Sequence, residues 1–166
     1  MELSTSLQAV ILELQKKTDA RAVVLLDPVY KTGDASSISG MKTPEVKITL
    51  EALTEYVNDF ASHTKKFLSG INIDDVSAPR TVYISTAERR IYIFRFFATG
   101  QNNREFPLYL GLTVKKDLDS IKEGKEIPHQ VPQFVFDEAW KTIKNIQNIY
   151  CTFFNIKKMK SLFSQT

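Results

Sequence analysis

The chain has 166 residues, 43% of them hydrophobic, 11% aromatic and 25% charged, with a net charge of +3, which describes a single folded domain and excludes an intrinsically disordered chain. Apolar runs such as Val23–Leu26 and Ile91–Phe94 fall far short of the roughly 20 residues that span a bilayer, and Glu2 and Glu13 interrupt the segment where a secretory signal would lie. A lone cysteine, Cys151, and the lack of any Asn-x-Ser/Thr acceptor rule out an internal disulfide and point to a cytoplasmic location.

Leu3, Leu7, Val10, Ile11 and Leu14 recur at helical spacing and predict a first helix, with Ser4 or Ser6 placed to cap it and Lys16 and Lys17 suited to its C-terminal end. Arg21–Asp27 is a short, branched apolar run closed by Asp-Pro, the pattern of a buried strand. Residues 28–45 are rich in turn formers and leave a weaker second strand in either Ala35–Met41 or Glu45–Ile48. Leu50, Leu53, Val57, Phe60, Thr64 and Phe67 alternate steps of three and four, the strongest helical signal in the chain. Thr49 is its expected cap, Lys65 and Lys66 its last turn, and Gly70 its left-handed terminator.

Three strands follow, at Thr81–Ser85, Arg90–Phe97 and Phe106–Val114, joined by connections short enough for antiparallel hairpins, the second containing Gly100 and Asn102–Asn103. In the middle strand Ile91, Ile93 and Phe97 face one way and Tyr92, Phe94 and Phe96 the other, so both sides of the sheet require cover. Residues 115–132 are charged and bounded by proline, as in a surface connection. Beyond Pro132, the spacing of Phe136, Ala139, Trp140, Ile143, Ile146, Tyr150, Phe153 and Phe154 predicts a long closing helix; Phe153–Phe163 either continues it or forms a second short piece. No acid follows Glu138, and Lys141, Lys144, Lys157, Lys158 and Lys160 give residues 139–166 a charge of +5. Such lysines suit a helix C-terminus or a weak contact with an acidic surface.

No catalytic motif is present. His63 and His129 lie in different segments without zinc-ligand spacing, Cys151 reads as buried filler in an apolar helix, and the acid pairs Asp74-Asp75 and Asp117/Asp119 fall in polar connections where solvated carboxylates are expected. There is no glycine-rich phosphate loop. Catalytic residues, metal and cofactor are therefore all expected to be absent. Arginines interleaved with aromatic residues from Arg80 to Arg104 share a composition with single-stranded nucleic-acid platforms, but lack an RNP-type sequence, and no nucleic acid is expected as a partner.

The element order, with strand one ending in Asp27 and the second helix leading through a Gly/Asp-rich break into Thr81–Ser85, resembles the Roadblock/dynein light chain family over about Leu3–Val114, with Phe134–Tyr150 similar to its closing helix. In place of the family's tight Asp-x-x-Gly turn stands Asp27-Pro28-Val29-Tyr30 and a longer excursion. The resemblance implies an α+β fold: a central five-stranded, mostly antiparallel sheet sandwiched by helices in Roadblock/profilin-like α-β-β-α-β-β-β-α order. Helix one and the closing helix would lie on one face and the second helix on the other. Residues 1–150 would form the domain and 151–166 a basic amphipathic extension. It also implies a non-catalytic platform that pairs, with itself or with a related domain, through the second helix and an adjacent strand edge, and that binds a small Ras-like GTPase or larger scaffold to regulate or localise it. Leu53, Tyr56, Val57, Phe60 and Phe67 are the interface candidates; Arg89, Arg90, Lys157, Lys158 and Lys160 are candidates for basic contacts. A longin- or profilin-like adaptor, or a sensor holding a small molecule near residues 28–45 with Tyr30, Met41 and Tyr109, is the alternative.

Overall fold

The computed structural model describes residues 3–27, 40–42, 50–72, 80–117, 122–124 and 132–164. Helix α1 (Leu3–Thr18) leads into β1 (Ala22–Leu26) and the short β2 (Gly40–Lys42), then α2 (Leu50–Gly70), β3 (Thr81–Ser85), β4 (Arg89–Thr99), β5 (Glu105–Lys115) and α3 (Gln133–Ser164). The strands form one sheet in the order β2-β1-β5-β4-β3, and every neighbouring pair is antiparallel. The expected α+β architecture and element order are found, and β2 falls at the end of the first of the two predicted windows.

Side-chain alternation divides the sheet into two unlike faces. On one, Val23 and Leu25 of β1, Tyr92, Phe94, Phe96 and Ala98 of β4, and Phe106, Leu108, Leu110 and Leu112 of β5 are all buried. Leu3, Leu7, Ile11 and Leu14 of α1 and Val135, Ala139, Ile143, Ile146 and Tyr150 of α3 close over them. The two helices lie side by side, α1 over β1 and β2 and α3 over β4, while α2 packs chiefly along β1. Aromatic rings fill the seam: Phe94 meets Phe136 and Trp140 edge-on at 5.8 and 5.5 Å, and Tyr150 meets Phe106 at 5.2 Å.

Local chemistry sets the element ends, not always where the sequence pointed. Helix α1 begins at Leu3, so Ser4 and Ser6 sit inside its first turns rather than ahead of it. It closes with Lys16 and Lys17 in the last turn and a left-handed Asp19 (φ 52). Helix α2 runs a turn past Lys65 and Lys66, and its chain reverses at Asn72 (φ 60), not Gly70. Asparagine tolerates that region through its short polar side chain, and it lies two residues past Gly70, the last residue of the helix. Thr49 lies outside the described residues. The β4–β5 hairpin turns through left-handed Asn102 and Asn103, with Gly100 N–H donating to the Arg104 carbonyl at 2.8 Å. Helix α3 continues unbroken to Ser164, so Phe153–Phe163 extends it rather than forming a separate piece.

The connection after β5 is less superficial than its charge suggested. Lys116 is buried, and its ammonium donates to Ser85 Oγ at 2.6 Å and to the Thr86 carbonyl, while its N–H donates to the Glu88 carbonyl. One lysine thus ties the β3–β4 turn to the end of β5. Hydrogen bonds from a charged donor contribute roughly 1.5–3 kcal/mol, so Lys116→Ala is expected to lower unfolding free energy by about that much, as read by urea denaturation.

Tyr92 is fully buried, its ring tilted against that of Tyr83 at 5.3 Å, and neither hydroxyl has a hydrogen-bond partner. Burial, reinforced by Tyr83, pushes the Tyr92 hydroxyl from its ordinary value of 10.0 up to about 12. Between these values the unfolded chain has released this proton and the folded chain holds it, so the folded state binds more protons and this group's contribution makes stability fall as pH rises. Tyr92→Phe removes an unpaired buried hydroxyl, so it is expected to raise stability at neutral pH by about 1 kcal/mol and to flatten the alkaline loss. Parallel denaturation of both proteins across that pH range measures both effects.

Candidate interaction face

The opposite face of the sheet carries Ala22 and Val24 of β1, Val82 and Ile84 of β3, Ile91 and Ile93 of β4, and Tyr109, Gly111 and Thr113 of β5, all half-buried. Phe97 at its end is 42% exposed. This side is also largely apolar, and among the described residues its β4 and β3 side chains are only half-buried, with α2 along β1.

A hollow of about 180 Å³ sits in the middle, lined chiefly by Val24, Leu26, Ile91, Ile93, Tyr109 and Gly111. Gly111 is its cause. Paired with Val24 on one side and Ile93 on the other, it puts no side chain where its neighbours project theirs. Only the Tyr92 carbonyl, at 3.9 Å, would touch an added Cβ. The hollow is therefore a missing side chain rather than a close backbone approach.

Arg95, paired with Tyr109, places a cation on this face. Its guanidinium lies 4.8 Å from the centre of the Phe97 ring, and its Nε is buried without a hydrogen-bond partner. Such a group favours a carboxylate brought by whatever covers it.

Strand β3 forms one edge of the sheet. The Arg95 N–H donates to the Arg80 carbonyl at 2.7 Å and the Thr86 N–H to the Arg89 carbonyl at 2.9 Å. Antiparallel pairs alternate between bonded and non-bonded positions, so the even-numbered residues of β3 bond to β4. The backbone groups of Thr81, Tyr83 and Ser85 therefore point outward, a short template for another strand. The face and this edge adjoin through Val82 and Ile84.

Of the sequence-derived candidates, Leu53, Tyr56, Val57 and Phe60 all lie on α2, but their side chains fall outside those described; Phe67 is described and is 67% exposed. Arg89 is half-buried at the β3–β4 turn, where its N–H bonds the Thr86 hydroxyl at 3.0 Å. Arg90 is only 3% exposed: strand alternation carries it to the helix-covered face, away from a surface partner. Lys157, Lys158 and Lys160 sit on α3 with side chains outside those described. Cys151 is exposed, contrary to its reading as filler, because α3 turns that position outward; Asn155 Nδ2 donates to its sulfur at 3.5 Å. Of the residues named for a sensor pocket, Met41 and Tyr109 lie on opposite faces of the sheet. Tyr30 is outside the described residues, and the register sets Met41 opposite Leu25 but Tyr109 opposite Leu26, positions of opposite parity on β1. Sequence reasoning missed Gly111 and Lys116, and took Arg95 only as one of the arginines interleaved with aromatic residues; a glycine inside an otherwise bulky strand is the available signal for the hollow. Among the described residues no group of His, Cys, Asp or Glu is placed to hold a metal, and no helix is long and apolar enough to cross a membrane.

Sheet order, helix placement and one open apolar face together define an α+β sandwich of the Roadblock-like class. No family model and no curated protein sequence matches this chain. Solved structures do. Myxococcus xanthus MglB superposes with a TM-score of 0.57 at 14% identity, covering 92% of each chain. The gliding protein MglB from Thermus thermophilus gives 0.54 at 14% identity over 90% of this chain and 92% of that one. An MglB with a tetrameric arrangement gives 0.54 at 13% identity over 90% and 91%. At these identities the likeness is one of fold.

Proposed function

We propose that this chain is a cytoplasmic, non-catalytic platform that pairs through α2, the open sheet face and the β3 edge, and that the pair binds a small Ras-like GTPase or a scaffold partner and regulates or localises it. The single observation that carries the reading is the contrast between the two sheet faces. One is sealed by α1 and α3, while the other, also largely apolar, is only half-buried among the described residues and adjoins the edge strand β3. Exposed apolar surfaces of this kind mark association sites, and a second copy offers a self-complementary cover. Residues 1–150 constitute the platform, with 151–166 as a basic extension. The Roadblock resemblance and the fold shared with MglB support the choice of partner class.

The hollow favours a protein over a metabolite, because ligand pockets usually enclose about 300–1,000 Å³, whereas about 180 Å³ suits one inserted side chain. The mechanism is recognition: the paired α2 surface offers apolar anchors to one conformation of the GTPase, and preference for one nucleotide state shifts its population. Titration of the purified chain with Ras-like GTPases from the same cell, each loaded with GDP or a non-hydrolysable GTP analogue, tests this. One GTPase is expected to bind at least tenfold more tightly in one state. Equal, weak binding of all of them in both states would overturn the GTPase reading.

A further inference from the structure

Helix α3 is 32 residues long, about 48 Å at roughly 1.5 Å per residue, and only part of it serves the core. Among the described side chains the last fully buried one is Tyr150, with Phe153 and Phe154 half-buried beside it. From Asn155 to Leu162 every described side chain is exposed, with Ile156 at 49%, Met159 at 55% and Leu162 at 57%. A helix that has finished covering its domain has no structural need for these residues.

Their spacing has a pattern. With about 3.6 residues per turn, positions 156, 159 and 163 share one side and 162 lies at its margin. This side is rotated away from the line of Ala139, Ile146 and Tyr150 that faces the sheet. Positions 158 and 160, both lysines, fall on the two flanks of the apolar strip, and Lys157 lies behind one of them. No acid occurs after Glu138.

We infer that the part of α3 beyond Phe154 is an interfacial anchor that lies on a bilayer surface rich in anionic lipid, with Ile156, Met159, Leu162 and Phe163 entering the head-group boundary and Lys157, Lys158 and Lys160 meeting lipid phosphates. Charge complementarity chooses the occupant. The segment is of one sign throughout, which suits a uniformly negative surface. Cations on both flanks of a shallow apolar strip allow each ammonium to reach the head-group plane as the strip sinks in. An acidic groove on a protein would engage cations on the buried side instead. The anchor does not depend on pairing or on a GTPase, so its failure would leave the platform reading standing, and the reverse.

Co-sedimentation of the full chain with vesicles provides the test. Binding is expected to vesicles of phosphatidylcholine with about 30% phosphatidylserine and not to phosphatidylcholine alone, and to fall at least tenfold when salt rises from about 0.1 to 0.5 M. Lys157→Glu combined with Lys158→Glu and Lys160→Glu is expected to weaken binding more than tenfold. Ile156→Ser with Met159→Ser, at exposed positions, is expected to do the same with an unchanged melting temperature. Absence of binding to the anionic vesicles would overturn the proposal, as would normal binding by the serine variant, or capture by an acidic protein through this segment while vesicles stay unbound.

Discussion

Replacing Phe94 by alanine is expected to lower unfolding free energy by about 3–5 kcal/mol, a large share of the roughly 5–15 kcal/mol that a domain of this kind possesses. The ring is fully buried at the centre of β4, meets Phe136 and Trp140 edge-on, and lies parallel to Tyr92 at 6.4 Å. Removing it opens a cavity that α3 cannot close without losing its seat on the sheet. Ile93, its neighbour on the opposite face, is only half-buried, so Ile93→Ala is expected to cost the isolated chain clearly less. Urea denaturation of the two variants at low protein concentration reads the contrast directly. Equal losses would show that both faces are core in a single copy, and would remove the reason for seeking a second.

Gly111→Trp is expected to act on association instead of folding. An added Cβ meets nothing closer than the Tyr92 carbonyl at 3.9 Å, and a larger side chain has the hollow to occupy, so the single copy keeps its fold. A glycine inside a strand leaves packing unfilled, so filling the site is expected to leave the melting temperature unchanged or slightly higher. Loss of one well-packed anchor at an interface typically costs at least about 2 kcal/mol, so the dissociation constant of the pair is expected to rise by about 30-fold or more. A tryptophan variant that unfolds would show that Gly111 is needed by the backbone. One that pairs like the parent would show that the hollow lies outside the interface.

How much of this was legible beforehand follows from what each pattern encodes. The stripe Leu3, Leu7, Ile11 and Leu14 and the alternation in Arg90–Phe97 name their elements because burial imposes a period on them, and both were found as read. The two hairpins were legible for the same reason, with Asn102 and Asn103 marking the second turn. Helix ends were not. Ser4, Ser6 and Gly70 have the right chemistry for caps, but α1 starts ahead of both serines, and α2, which does end at Gly70, takes its left-handed residue at Asn72. Face assignment was equally hidden, because alternation says that Tyr92 and Ile93 oppose each other without saying which side receives the helices. Arg90 and Arg95 show the consequence. Their chemistry is identical, yet parity buries one on the helix-covered side of the sheet and sets the other on the open face. Lys116 reads as surface because its class usually is; only the proximity of Ser85 and Thr86, some 30 residues earlier, gives its buried charge a partner.

The central claim, that a second copy covers the open face, is tested most directly by measuring molar mass in solution by light scattering from about 1 to 100 µM. The account requires a mass of twice the 18.9 kDa chain, falling to a single folded chain on Gly111→Trp. A parent protein that scatters as one chain across the whole range, with its open face as protected from hydrogen exchange as the face under α1 and α3, would contradict it.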